Sequence, residues 1–191
     1  MFRLIIETSN ERSLLVLAEN STVITFRHLN GSQLSSCLLL EVKNLLNSAE
    51  LSLNQLDEVM ASNGPGSFTG LRVGATIAKS LAYALKIKLL GFAFAAAYKG
   101  AGAAFAVLLD ARGAGVYWQE CQKGLYLPAK VVSLEELKNS QGLDLLSPQA
   151  LKIQNRLPLA LPALKEALPD PWQLAAYCQR QQEKFQLIYL H

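Results

Sequence analysis

The chain has 191 residues, of which 51% are hydrophobic and 17% are charged, and its formal net charge is +3. This balance describes a globular protein rather than a disordered one, and a chain of this length buries roughly 70% of its unfolded surface. No run of Lys or Arg is long enough for a nucleic-acid-binding arm, so charge alone indicates no polyanionic partner.

Cysteine and hydropathy patterns point to a reduced, soluble environment. Cys37, Cys121 and Cys178 are scattered and form no CxxC pair, so neither a zinc site nor a disulfide framework is expected. The opening MFRLIIETSN is too briefly apolar for a signal peptide, and no apolar run reaches the ~18 residues that span a bilayer. We therefore expect a cytoplasmic protein.

The first hundred residues predict the order β-β-β-α-β-α-β. The strand patterns lie at residues 4–6, 13–18, 21–27, 58–62 and 88–92. The first three strands follow one another closely, which favours an antiparallel meander. A helix is expected at about 32–47, with these residues on one face: Leu34, Leu38, Leu39, Val42, Leu45 and Leu46. Leu40 lies off that stripe, which suggests a second contact.

The second half is predicted to begin with another strand pair. The small-residue stretch at 93–104 is the candidate domain boundary, so we expect domains at 1–100 and 101–191. Strands are expected at 105–110 and 116–121 around DARGAG, and another at 143–146. Ser133 and Glu136 have the spacing of a capping box. After an irregular stretch with four prolines, Asp170 and Pro171 should start a last helix running to about residue 184 and possibly packing back on the first domain.

The segment GPGSFTG precedes the second helix. Gly64 and Gly66 permit unusual backbone angles, and an amide-rich helix start can bind an anion. A phosphate-binding P-loop needs Lys followed by Ser or Thr after its second glycine, but Leu71 and Arg72 follow Gly70 here. The P-loop interpretation therefore fails. Arg72 opposes the helix dipole, so we expect it to pair with a carboxylate of this chain or with an acid or phosphate at a partner boundary.

The second helix is apolar over an arc roughly twice as wide as that of an ordinary surface helix. Gly74, Ala78 and Ala82, spaced four apart, form a smooth ridge on which another helix could pack closely. Two interpretations remain open: either the helix is sandwiched inside its own fold, or the ridge is a protein interface. On the second interpretation, we expect Gly74→Trp with Ala78→Trp to leave a folded monomer that has lost its partner.

The segment GPGSFTGLRVGATIAKSLAYAL closely resembles the signature of the TsaB (YeaZ) family, which is linked to tRNA threonylcarbamoyladenosine synthesis. LIIETSN, LDARGAGVYWQ and the near-terminal YL resemble further family motifs in the same order. The resemblance implies an α/β, actin-like (ribonuclease-H-like) fold of two related domains, each with a mixed sheet and flanking helices, the second reduced. It also implies a noncatalytic role as partner of TsaD in modifying adenosine 37 of tRNA.

Further partners and residues follow from the resemblance. We expect TsaE to join the complex, homodimerisation through the same helices when alone, and only indirect contact with tRNA. The expected interface residues are Leu38, Val42, Gly70, Leu71, Gly74, Ala78, Ala82 and Leu85. Vestigial nucleotide-binding residues would be Glu7, Thr8, Ser9 and Asp110. We expect no metal site and no required cofactor, with ATP or ADP and Mg²⁺ only at the complex boundary.

Departures from the family pattern weaken nucleotide chemistry. Glu7 stands where Asp is usual, no histidine occurs near Leu34, and Gly113-Ala114-Gly115 replaces the usual Arg-Gly-Glu. The alternative function is an active actin-like ATPase or small-molecule kinase, with Glu7 and Asp110 as metal and catalytic carboxylates. A peptidase centre is not expected, because His28 and His191 are the only histidines.

Overall fold

The computed structural model describes residues 1–31, 34–140, 142–156, 164–180 and 183–189. These residues form two six-stranded sheets with helices packed against them. The α/β class and the two-sheet organisation expected from the sequence are confirmed.

The first sheet has the strand order β12-β5-β4-β1-β2-β3. Its strands are β1 (Phe2–Glu7), β2 (Arg12–Glu19), β3 (Thr22–Asn30), β4 (Glu58–Ser62), β5 (Lys88–Phe92) and β12 (Glu183–Lys184). The first three strands pair antiparallel, which confirms the predicted meander, whereas β4 runs parallel to both β1 and β5. Every residue of β4 is buried, as expected for a parallel strand that is covered on both faces.

Helices α1 (Leu34–Ser48) and α2 (Phe68–Leu85) cover one face of this sheet. Their buried side chains share a core with alternate residues of β1 and β2, including Leu4, Ile6 and Leu15. The two helices also contact each other, so the sheet and the helix pair form two layers around one apolar core.

The second sheet has the order β11-β10-β6-β7-β8, and β9 also pairs with β7. Its strands are β6 (Ala104–Asp110), β7 (Val116–Gln122), β8 (Leu125–Tyr126), β9 (Lys130–Val132), β10 (Asp144–Ser147) and β11 (Lys165–Glu166). The β6–β7 pair is antiparallel and β10 is parallel to β6, which repeats the relation of β1 to β2 and to β4. The two halves are therefore built on the same plan.

Predicted helix starts in the second half are partly confirmed. Ser133 and Glu136 form a reciprocal capping box, but the box opens only a single 3₁₀ turn, Glu136–Asn139. The five-residue helix α3 (Ala150–Gln154) was not predicted. Residues 157–163, within the proline-rich stretch expected to be irregular, lie outside the described part of the chain.

The last helix, α4 (Pro171–Arg180), packs against β2 and β3 of the first sheet. The Asp170 carboxylate accepts hydrogen bonds from the amides of Trp172 and Gln173 at 2.8 and 2.9 Å, which confirms the predicted cap. The helix ends four residues earlier than expected, because Glu183 and Lys184 leave it to pair with β5. Among the helices described, none is long and apolar enough to cross a membrane.

Candidate functional site: an interdomain cleft and the surface of two helices

The GPGSFTG loop docks onto the turn that joins β1 and β2. A Cβ on Gly66 would lie 2.1 Å from the Ser9 carbonyl oxygen, so only glycine allows this approach. The Ser67 amide donates a 2.6 Å hydrogen bond to the same oxygen, and the Ser67 hydroxyl accepts the Gly70 amide as the cap of α2. The loop is thus a structural joint between two strand ends and a helix start.

The ridge of small residues on α2 faces this chain, which corrects the expectation that it faces a partner. A Cβ on Gly70 would lie 2.3 Å from the Thr8 carbonyl oxygen, and one on Gly74 would lie 2.2 Å from Thr8 Oγ1. Ala78 is fully buried. The first interpretation of the helix therefore holds for the ridge, and tryptophan at positions 74 and 78 would break the fold rather than leave a folded monomer.

The other expected interface residues are also mostly covered by the chain itself. Leu38, Val42 and Leu71 are each 1% exposed, Ala82 is buried, and only Leu85 is partly accessible. These side chains hold α1 and α2 on the sheet, so they position a surface rather than form it.

Two adjacent leucines of α1 supply exposed apolar surface instead. Leu39, expected on the buried stripe, is 57% exposed, and Leu40 is 56% exposed. With Leu53 and the covered side chains of Val42 and Leu46, they line an open groove of about 650 Å³. The off-stripe position of Leu40 was the sequence signal for this surface, whereas nothing in the sequence distinguished Leu39 from its buried neighbours.

Glu7, expected to be a vestigial metal or phosphate contact, points into the protein. It is fully buried, its Oε1 accepts the Ser9 amide at 2.6 Å, and its Oε2 has no hydrogen-bond partner among the described residues. Burial raises the pKa of the Glu7 carboxyl to about 7, although its hydrogen bonds with Ser9 oppose the rise. Thr8 and Ser9 are buried under the α2 loop.

Asp110 reaches the cleft between the two sheets but is occupied by cations. Its carboxylate lies 2.8 Å from Lys152 Nζ, forms an ion pair with Arg156 and accepts the Arg112 amide at 2.9 Å. Partial desolvation would raise the pKa of Asp110, but the hydrogen bond from Lys152 and the neighbouring amide and cations hold it below its usual range. The carboxylate is therefore ionised and neutralised.

The cleft itself has a volume of about 280 Å³, and Ser9, Ser67 and Asp110 are among its lining residues. Gln149 spans it by donating a 3.1 Å hydrogen bond to Glu11 of the first half. Glu7 is not part of its wall, so the two candidate carboxylates are not brought together. Within the described ranges, no three His, Cys, Asp or Glu side chains are grouped to hold a metal. These residues do not fit a magnesium nucleotide, and the expectation about cofactors stays untested.

Arg72 has a partner that the sequence did not suggest. Its guanidinium lies 3.7 Å from the centroid of the Phe68 ring, one turn earlier on α2. This cation–π contact offsets the unfavourable position of a cation near a helix start.

Two halves of the same plan around a cleft define an actin-like α/β protein. A family model described as "TsaD: tRNA N6-adenosine threonylcarbamoyltransferase" matches residues 31–170. The tRNA threonylcarbamoyladenosine biosynthesis protein TsaB of Escherichia coli is 30% identical over 126 residues, which cover 63% of this chain and 54% of that protein. The Bacillus subtilis protein of the same name is 36% identical over 88 residues, covering 44% and 37%. The chain belongs to the TsaB (YeaZ) family.

Solved structures agree on the fold. YeaZ from Pseudomonas aeruginosa superposes with a TM-score of 0.76 over 99% of both chains at 22% identity. Another Pseudomonas aeruginosa structure, of an uncharacterised protein with similarity to peptidase YeaZ, gives 0.78 at 22% identity and covers 100% of this chain and 99% of that one. At this identity the likeness shows the architecture alone. The chain spans about half or less of the length of the two curated relatives.

Proposed function

We propose that this chain is a noncatalytic partner of TsaD in the transfer of a threonylcarbamoyl group to N6 of adenosine 37 in tRNA. The printed names of its relatives and the TsaD description of the matching family model support this role. A protein with this role needs a surface that another protein can bind, more than it needs a reaction centre.

The observation that carries the proposal is the exposed apolar surface of α1. Two adjacent leucines, Leu39 and Leu40, are each more than half exposed beside an apolar groove. Exposed apolar patches on a soluble protein mark interaction sites, because covering them removes apolar area from water. We propose that helices of TsaD cover this surface, and that Leu38 and Val42 support it from beneath.

The charges in the cleft support a noncatalytic role. Asp110 is neutralised by Lys152 and Arg156, and Glu7 is turned inward. A phosphoryl-transfer enzyme needs carboxylates free to hold a metal ion and orient a nucleophile. Transfer chemistry therefore falls to TsaD in this proposal.

The remaining parts of the proposal concern assembly. TsaE joins the TsaD complex, a homodimer forms through α1 and α2 when TsaD is absent, and the protein works in the cytoplasm. No cofactor is required by this chain, and ATP or ADP with Mg²⁺ would bind only at the boundary of the complex.

The test is co-expression with TsaD of the same organism, followed by size-exclusion chromatography with mass measurement. Leu39→Glu with Leu40→Glu places two charges in the groove, and we expect the complex to fall at least tenfold in affinity, since burying unpaired charge is costly. The matched control is Leu125→Glu with Leu151→Glu, which changes two equally exposed leucines of the second half. Retained binding by the groove variant, or equal loss in both variants, would contradict the proposal.

A further inference from the structure

The outer stripe of α2 combines cations with exposed rings. Phe68, Arg72, Lys79 and Tyr83 share this stripe, and the helix contains no acidic residue. Phe68 is 54% exposed and Tyr83 is 89% exposed. Neither Arg72 nor Lys79 has a carboxylate within 4 Å among the described residues, although both side chains lie on the surface.

The C-terminal segment 183–189 adds two more rings to this stripe. Phe185 lies under Lys79, with 5.7 Å from Nζ to the ring centroid. Tyr189 packs on the opposite flank of the cation–π pair, with its ring centroid 5.8 Å from that of Phe68. We refer to Phe68, Arg72, Lys79, Tyr83, Phe185 and Tyr189 as the cation–aromatic patch.

Asn63 fixes this segment in place. Its Oδ1 accepts the Gln186 amide at 2.9 Å, and its carbonyl oxygen accepts the Ile188 amide at 2.8 Å. Its side-chain amide donates at 3.3 Å to both Glu183 and the Lys184 carbonyl oxygen. Glu183, the acidic residue of the segment, also accepts the Tyr177 hydroxyl, so its charge is engaged by the protein. The patch is thus held in place and has no competing acid of its own.

Single-stranded RNA matches this chemistry. Its phosphates are attracted to unpaired cations, and each of its bases can stack on an aromatic ring or on a guanidinium plane. An acidic protein surface would satisfy the cations but would leave the exposed rings in water. The sequence gave no sign of this patch, because its cations and rings come from segments more than a hundred residues apart.

We propose that the cation–aromatic patch binds unpaired nucleotides of RNA directly. The identification of that RNA as tRNA rests on the proposed function. This contact goes beyond the purely indirect tRNA contact expected from the sequence.

The test is fluorescence anisotropy with a labelled, unmodified tRNA transcript and the purified chain across a salt series. Arg72→Gln with Lys79→Gln should weaken binding about tenfold and reduce the salt slope by roughly 1.4, as expected for two lost phosphate contacts on a single strand. Tyr189→Ala should weaken binding at least fivefold without changing that slope, because it removes stacking and no charge.

The matched control is Lys99→Gln with Lys138→Gln, which removes the same charge from exposed positions of the other half. It should bind within twofold of the unaltered chain. Equal loss in control and patch variants, or no loss in either, would overturn the proposal.

TsaD co-purification of the same variants separates the two proposals. We expect the patch variants to retain TsaD, whereas the groove variant at Leu39 and Leu40 loses it. A patch variant that binds RNA normally but loses TsaD would make the patch a protein interface and would also overturn the RNA proposal.

Discussion

Glu7→Gln should make the protein more stable at alkaline pH. The Glu7 carboxyl is fully buried, one of its oxygens has no partner among the described residues, and its pKa is raised from 4.5 to about 7. Burial penalises the ionised form, so the native state holds this proton more tightly than the unfolded state does. The stability gained from that proton is complete below pH 4.5 and is lost as the pH rises through 7.

The size of the effect follows from the shift. A difference of 2.5 pKa units corresponds to about 3 kcal/mol in the free energy of unfolding between pH 4.5 and pH 8. Glutamine stays neutral throughout, and its oxygen can still accept the Ser9 amide. The variant should therefore gain about 3 kcal/mol relative to the unaltered chain on going from pH 4.5 to pH 8.

The assay is urea unfolding at pH 5 and pH 8, followed by the fluorescence of Trp118 and Trp172. Glu19→Gln, which changes an exposed carboxylate, serves as the control and should show no comparable gain. A stability difference between Glu7→Gln and the unaltered chain that is the same at both pH values would refute the reasoning.

Two further substitutions probe the packing. Gly74→Ala should destabilise the fold by about 1–3 kcal/mol, because the new methyl group would clash with Thr8 Oγ1. In chemical denaturation the loss should shrink when Thr8→Ala is added, and a loss independent of residue 8 would show that the clash is not the cause. Asp170→Ala should cost about 1 kcal/mol by removing the cap of α4. Thermal unfolding would show this, and an unchanged midpoint would contradict the role of the cap.

Periodicity in the sequence predicted most elements, because each pattern reports a local backbone. It could not predict what covers a helix face. The ridge at Gly74 and Ala78 looked suitable for a partner, yet Thr8, more than sixty residues earlier, fills the space above Gly74. The wheel measured the width of the apolar arc of α2 correctly but did not show whether the covering atoms belong to the same chain.

The candidate site was less predictable than the fold. Asp110 was identified as the acidic residue of a turn, but Lys152 and Arg156, which decide its chemistry, come from a helix that the sequence did not predict. The off-stripe position of Leu40 was visible, whereas the exposure of Leu39 depends on how α1 is rotated on the sheet. Long-range electrostatics and helix rotation have no local signature.

The placement of β12 has a consequence for biosynthesis. This strand pairs with β5 and comes from the last ten residues of the chain, and α4, which lies just before it, packs on β2 and β3. A ribosome must therefore translate nearly the whole message before the edge of the first sheet can be closed. Until then the hydrogen-bonding groups of β5 stay open to other chains, so a nascent-chain factor that shields this edge would raise the yield of native protein.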